Sequence, residues 1–234
     1  MQFRSKRYRK DIDKQPQQSL RTEDAVRKLR EFSRPKFDPT VNIVCHLGID
    51  PKQADQMIRG SVSLPKGIGK SKRVIAFCPE TEIEKAKAAG AIEAGADELV
   101  EKVTKGWMDF DVAIAHPSMM GKIAKLGRVL GPQGKMPSPK SGTVTAETES
   151  AVREYAAGKV EFRNDAGGNV HAVVGKLSFA DGDLKENIDA FVEHIRRLKP
   201  TTSKGLYLKR VCISATMTPS VTLDTGAAVS ETTS

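Results

Sequence analysis

The sequence predicts a two-part protein of mixed α/β and α+β class, in which both ends of the chain build one split α+β domain around an inserted three-layer α/β domain. Three observations predict it. Residues 67–159 alternate short apolar runs with helical stretches, the pattern of a sheet covered by helices on both faces. Residues 1–66 and 160–221 share another style, longer alternating strands beside amphipathic helices. Between the first two segments lies VSLPKGIGKSKR, a Pro-, Gly- and Lys-rich stretch with the composition of a linker. With 234 residues, two such bodies each have enough chain to bury a core.

The elements follow in order. Thr22 is placed to cap a helix over 23–32, with Glu23 and Asp24 in its first turn, Ala25, Leu29 and Phe32 on one face, and Pro35 closing it. TVNIVCHLGI alternates as a strand, and Asp50-Pro51 opens a second helix over 51–60 that ends at Gly60. After the linker, VIAFC is a buried strand. A helix over 81–95, a short strand at 98–100, a helix-like 101–107, a strand over 111–116 and a helix over 118–130 follow. Three prolines and three glycines between Gly131 and Gly142 exclude regular structure there. A helix from Thr148 to Ala157 ends at Gly158, and VEFRND and VHAVVGKLSF are read as a hairpin around Asp-Ala-Gly-Gly. Leu184, Ile188, Phe191, Ile195 and Leu198 mark a long helix, followed by the strand LYLKRVCISAT. The tail, 222–234, has too few apolar residues to pack and is expected to be disordered.

Charge narrows the partners. The chain carries 38 Lys and Arg against 29 Asp and Glu, a net charge of +9, which favours polyanions. Residues 1–36 hold 12 basic and 5 acidic side chains, whereas 67–159 hold 14 and 12, so the head is the basic part. Electrostatic affinity for phosphates follows such local density. The basic N-terminus lacks the apolar stretch of a secretory signal, and no run is long enough for a membrane span, so a soluble, cytoplasmic protein is expected.

Chemistry-bearing patterns are sparse. Cys45, Cys78 and Cys212 are far apart in apolar, strand-like runs, the setting of inert core thiols, and form neither a disulfide framework nor a zinc pattern. His46, His116, His171 and His194 are scattered, so neither a catalytic constellation nor a metal site is expected, and no cofactor is implied. PKGIGKSK lacks phosphate-loop spacing; its Gly67 and Gly69, with Gly158, are hinge candidates because glycine adopts backbone angles that other residues resist. Trp107 and Phe110 are read as packing residues, and no aromatic stacking platform is evident. The chain therefore reads as a binder of folded RNA, with a protein-interaction adaptor as the alternative and an enzyme as the third class.

The run GRVLGPQGKMPSPKSGTV, Gly127 to Val144, closely resembles the signature of the ribosomal protein L-one family of the bacterial large subunit. LGIDPKQADQMIRGSVSLPKGIGK, KGWMDFDVAIA, EFRNDAGGNVHAVVGK and TMTPS resemble the same family in the same order, so the similarity spans about residues 2 to 221. The resemblance implies that the inserted domain is Rossmann-like and that the split domain carries most of the contact with large-subunit rRNA. It further implies a place at the base of the mobile stalk beside the tRNA exit site, and a part in releasing deacylated tRNA. Repression of translation from the mRNA of its own operon is also implied.

Carried over position by position, the family's rRNA contacts fall on Lys36, Phe37, Thr40, Arg163, Asn164, Asp165, His171, Thr216, Met217 and Thr218. Arg and Lys neutralise phosphates, while Thr and Asn reach 2′-hydroxyls; Phe37 is equally placed to enter the core, and Asp165 to cap its turn. Thr218 stands where the family has Gly, and Asn42 where many members carry an acid. In the inserted domain Arg128, Lys135 and Lys140 are candidates for a secondary RNA contact.

Overall fold

Every second residue of TVNIVCHL is apolar, and these residues form the central strand of a sheet with one buried face. The computed structural model describes residues 5–224, which divide into two units, one made of the segments up to Gly69 and from Phe162 onward, the other Lys70–Glu161. The boundaries expected from the sequence are before Gly67 and after Lys159.

The first unit contains α1 (Lys6–Ile12), α2 (Thr22–Glu31), β1 (Thr40–Leu47) and β2 (Arg59–Val62). The chain returns to this unit within β6, as defined below. Val41, Ile43, Cys45 and Leu47 of β1 are buried with their cross-strand neighbours, and the intervening Thr40, Asn42, Val44 and His46 lie on the opposite face.

The second unit begins with β3 (Val74–Phe77), α3 (Ile83–Ala88), β4 (Glu93–Gly95), α4 (Asp97–Thr104) and β5 (Val112–Ala115). The three strands are parallel in the order β4-β3-β5. All four residues of β3 are buried, as expected of a parallel strand covered on both faces. Ile75 and Phe77 pack with Leu99, Val103 and Phe110, while Val74 and Ala76 pack with Ala86, Val152 and Tyr155. Two short helices, α5 (Met120–Ile123) and α6 (Gly127–Leu130), precede α7 (Thr148–Ala156). The fold class is thus the mixed one that the sequence predicts.

The remaining elements are β6 (Val160–Arg163), β7 (Asn169–Lys176), α8 (Asp181–Arg197), β8 (Leu208–Ala215) and β9 (Ser220–Leu223). The main sheet of the first unit is antiparallel, with order β7-β1-β8-β9. Helices α2 and α8 pack on each other and on this sheet. Ion pairs Arg30–Asp181 at 2.8 Å and Lys185–Glu23 fasten the helix pair at its rim. Among the described residues no helix is long and apolar enough to cross a membrane.

Several local expectations are corrected. Residues 51–60 form turns and then β2 instead of a helix: Ile58 is the one strongly apolar side chain buried there, Met57 is exposed, and an amphipathic helix needs a fuller stripe. Asp50 N instead donates to Gln56 Oε1 at 2.8 Å, closing a side-chain-held turn. The expected helix 81–95 stops at Ala88, and Glu93–Gly95 is the edge strand, while residues 98–100, expected as a strand, lie within α4. The stretch 118–130 breaks into short α and 3-10 turns. Thr22 does not cap α2; its hydroxyl donates to Asp189 Oδ1 at 3.0 Å.

The hairpin shrinks to a turn with one bridge, Asn164 to Val170, because β6 pairs with β2 while β7 pairs with β1. The presumed disordered tail begins too early: β9 continues through Leu223, Leu20 N donates to Thr222 O, and Asp224 N donates to Leu20 O. Its remainder, 225–234, lies outside the described residues.

Candidate nucleic-acid interface

At the end of the main sheet where β1 starts and β8 stops, Thr40 is the hub. Its carbonyl oxygen accepts from Thr216 N at 3.0 Å and from Thr216 Oγ1 at 3.2 Å, and its hydroxyl accepts from Lys176 Nζ at 2.9 Å. The next residues make a tight turn, closed by Thr218 N donating to Ala215 O at 3.0 Å. Met217 occupies its corner with φ 69°, a left-handed angle that a side chain adopts only when its surroundings impose it, and is 61% exposed. Phe37, three residues before Thr40, is 51% exposed, so the core alternative for it does not hold. It lines a hollow of about 270 Å³ with Arg34, Pro39 and Leu177. Lys36 is exposed beside it.

The basic head reaches this same end. Arg7 donates to the carbonyl oxygen of Met217 at 3.3 Å, and Gln15 Nε2 donates to Ser220 O at 2.8 Å. Helix α1, which the sequence reading passed over, is anchored by Asp11, a buried carboxylate that accepts from Ser33 N at 3.2 Å and from Ser33 Oγ at 2.9 Å. A charged residue of the basic head is therefore a docking group.

Thr218 itself turns inward. It is 9% exposed, and its hydroxyl accepts from Ala215 N and donates to Ala215 O. The Thr218 hydroxyl thus adds bonds inside the turn and puts no side chain on the surface, which corrects its placement among the RNA contacts.

The other end of the sheet sorts the remaining candidates. Arg163 is exposed. Asn164 is buried, accepts from Ile58 N at 2.8 Å and donates to Asp165 O, so it holds two backbone segments together and does not face an RNA. Asp165 Oδ1 accepts from Gly167 N and Asn169 N, both at 2.8 Å, and these bonds hold its carboxyl at about 2, below the usual carboxylate range. It is the turn cap of the alternative reading. His171 is exposed, with Nε2 at 3.4 Å from Asp165 Oδ2.

Between the two ends runs the open face of the sheet. Asn42, Val44 and His46 stand across from Val173, His171 and Asn169 on one side and from Ser214, Cys212 and Arg210 on the other. None of these is acidic. Sequence reasoning missed His46, Asn169 and Arg210; the alternation within β1 was the available signal, but the pairing that brings the strands together was not legible. Cys212 lies half-buried here instead of in the core, while burial pushes the Cys45 thiol up to about 12.

In the second unit Arg128 and Lys140 are exposed. Lys135 is not a surface cation: its ammonium donates to Phe110 O at 2.6 Å and Met108 O at 3.2 Å and lies over the Phe110 ring. The loop carrying Lys135 and Lys140 is ordered by buried hydroxyls, with Ser138 N donating to Thr143 Oγ1 and Tyr155 Oη to Ser141 O. The hinge candidates Gly67, Gly69 and Gly158 all have positive φ. Gly67 is clamped, however, because the fully buried Asn187 accepts from Lys66 N at 3.0 Å and donates to Gly67 O at 2.9 Å. Among the described residues no group of three or more His, Cys, Asp or Glu is arranged to hold a metal ion.

An antiparallel sheet whose open face carries no acidic side chain, with exposed apolar tips and cations at its rim, defines a basic binding protein. Residues 29–219 match the family model described as the Ribosomal protein L1p/L10e family. Three relatives are each named large ribosomal subunit protein uL1. That of Thermobifida fusca is 48% identical over 225 residues, 96% of either chain. That of Chlorobium phaeobacteroides is 51% identical over 198 residues, 85% of this chain and 86% of its own. That of Lactobacillus delbrueckii subsp. bulgaricus is 51% identical over 202 residues, 86% of this chain and 87% of its own. The chain belongs to the ribosomal protein L1p/L10e family, and is a structural protein and not an enzyme.

Proposed function

We propose that the chain is a component of the large subunit of the cytoplasmic ribosome, and that its first unit binds large-subunit rRNA at the mobile stalk through the end of the sheet built around Thr40 and Thr216. The observation that carries this reading is the placement around Thr40 and Thr216 of the exposed Met217, with Arg7 on its carbonyl oxygen, and of Lys176 on the Thr40 hydroxyl, with the exposed Lys36 and Phe37 just upstream in the chain. Apolar tips pack against a sugar or base face, cations neutralise phosphates, and threonine hydroxyls reach 2′-hydroxyls, the combination that reads folded RNA by shape. Arg163 and His171 extend the contact along the sheet. Arg128 and Lys140 of the second unit serve a secondary contact.

By the same reading the protein assists release of deacylated tRNA at the exit site and represses translation of its own operon mRNA, using one surface for two RNAs. Gly69 and Gly158 provide the hinge between units. The deciding experiment is a salt titration of binding to the stalk-base rRNA fragment against a plain duplex of equal length. A preference for the fragment that persists at physiological salt supports the proposal; equal binding that vanishes with salt refutes it.

A further inference from the structure

The strands of the main sheet end, opposite the Thr216–Met217 turn, at the segment from Arg196 to Arg210. This segment carries Arg196, Arg197, Lys199, Lys204, Lys209 and Arg210, all exposed, and no acidic residue occurs between Arg196 and Leu223. A division of the chain into long blocks hides this density, because the acids of α8 offset it.

The segment is held in place. Ser203 is buried, with its hydroxyl donating to Gly48 O at 2.8 Å, and Gly48 N donates to Tyr207 O at 2.6 Å. Lys199 Nζ donates to Gly205 O at 3.3 Å across the loop. Tyr207 and Leu208 are buried beneath, while Leu206 between them and the loop is 47% exposed. Cations on a pinned loop lose less freedom on binding than those on a mobile tail, so they add more affinity per contact. Arg197 pairs with Glu193, whereas among the described residues Lys199, Lys204 and Lys209 pair with no carboxylate.

We infer that Lys199, Lys204 and Lys209 form a second phosphate-binding patch for the same RNA that the Thr216–Met217 end engages. This rests on the RNA-binding reading proposed above. The strand β1 that separates the two ends has eight residues, and at about 3.3 Å of rise per residue they lie roughly 23 Å apart, beyond the reach of one side chain. An RNA touching both must run along the sheet. The face between them, from Asn42 to His46 with its neighbours, offers no negative side chain, and Asp165 at its edge has its carboxylate engaged by the amides of Gly167 and Asn169. The two ends thus divide the work: the Met217 end recognises shape, and the lysine end supplies attraction without discrimination.

The test compares the full chain with Lys199→Gln, Lys204→Gln, Lys209→Gln combined, and separately with Met217→Ala, on the stalk-base fragment and on a duplex of equal length. Three lost phosphate contacts, at roughly 0.7–0.9 each, lower the slope of log affinity against log salt by about 2 in the triple variant, with the preference for the fragment retained. Met217→Ala reduces the preference and leaves the slope. An unchanged slope in a triple variant whose thermal melt matches the parent overturns the patch. No preference in the unaltered protein overturns the ribosomal reading instead, and a slope that still falls on the duplex then leaves the lysines as an unspecific phosphate site.

Discussion

Thr216 closes the main sheet onto Thr40, its amide and its hydroxyl both donating to one carbonyl oxygen, at 3.0 and 3.2 Å. The two residues are 176 positions apart, so the first strand of the chain and its penultimate strand fix each other where the exposed Met217 is displayed. Thr216→Val keeps the shape and the amide bond and removes the hydroxyl bond alone. It is expected to cost about 1 kcal/mol of stability in urea unfolding. RNA preference should fall with it, because the turn loses one of its two ties.

Met217→Gly separates stability from binding. Its φ of 69° strains any residue with a Cβ, so glycine relieves that strain, gaining up to about 1 kcal/mol against its larger entropy loss on folding. The melting temperature should hold or rise while the preference for the stalk-base fragment drops. A variant that both melts lower and binds normally would show that the exposed side chain packs on the protein and has no role in recognition.

Acid should loosen the turn at Asp165 before the sheet. The folded carboxyl sits at about 2, below its unfolded value of about 3.9, so its contribution is fully present above pH 4 and is lost as the pH falls towards 2. The amide resonances of Gly167 and Asn169 report this in a titration by nuclear magnetic resonance. Asp165→Asn removes the acid step, since a neutral amide oxygen still accepts but does not titrate.

Asn187→Ala should be among the most destabilising polar substitutions. It leaves Lys66 N, Gly67 O and Val174 O without their partner next to α8, at a cost of about 2–4 kcal/mol. Cleavage between Leu64 and Gly69 by a protease at low concentration should accelerate with it.

A pair of glycines isolates packing from backbone angle. Gly69 and Gly134 have φ of 72° and 70°, but a Cβ on Gly69 would come within 2.7 Å of the Phe179 ring, whereas one on Gly134 meets nothing within 4 Å. Gly134→Ala should cost about 1 kcal/mol from the angle alone, and Gly69→Ala about 1–3 kcal/mol beyond it, read from paired thermal melts.

Much of this protein was legible in one dimension because the deciding physics is periodic or local. The alternation of β1 and the stripe Leu184, Ile188, Phe191 and Ile195 each state which face will be buried, and Gly158 stops its helix by its own backbone. The family-like runs, from LGIDPKQ to TMTPS, are contiguous strings and need no folding to be read. What only the tertiary structure decided is which polar side chains face outward. Asn164 is spent on Ile58, 106 residues away, and Lys135 on Phe110, 25 away, while Arg163 and Lys140 are exposed. A buried amide or carbonyl must find a partner, and the partner is chosen by which strands and loops come to lie beside each other, a matter of pairing and not of composition. For that reason β9, too, was hidden: VTL is too short to announce a strand until the edge of β8 and the backbone of Leu20 are there to receive it.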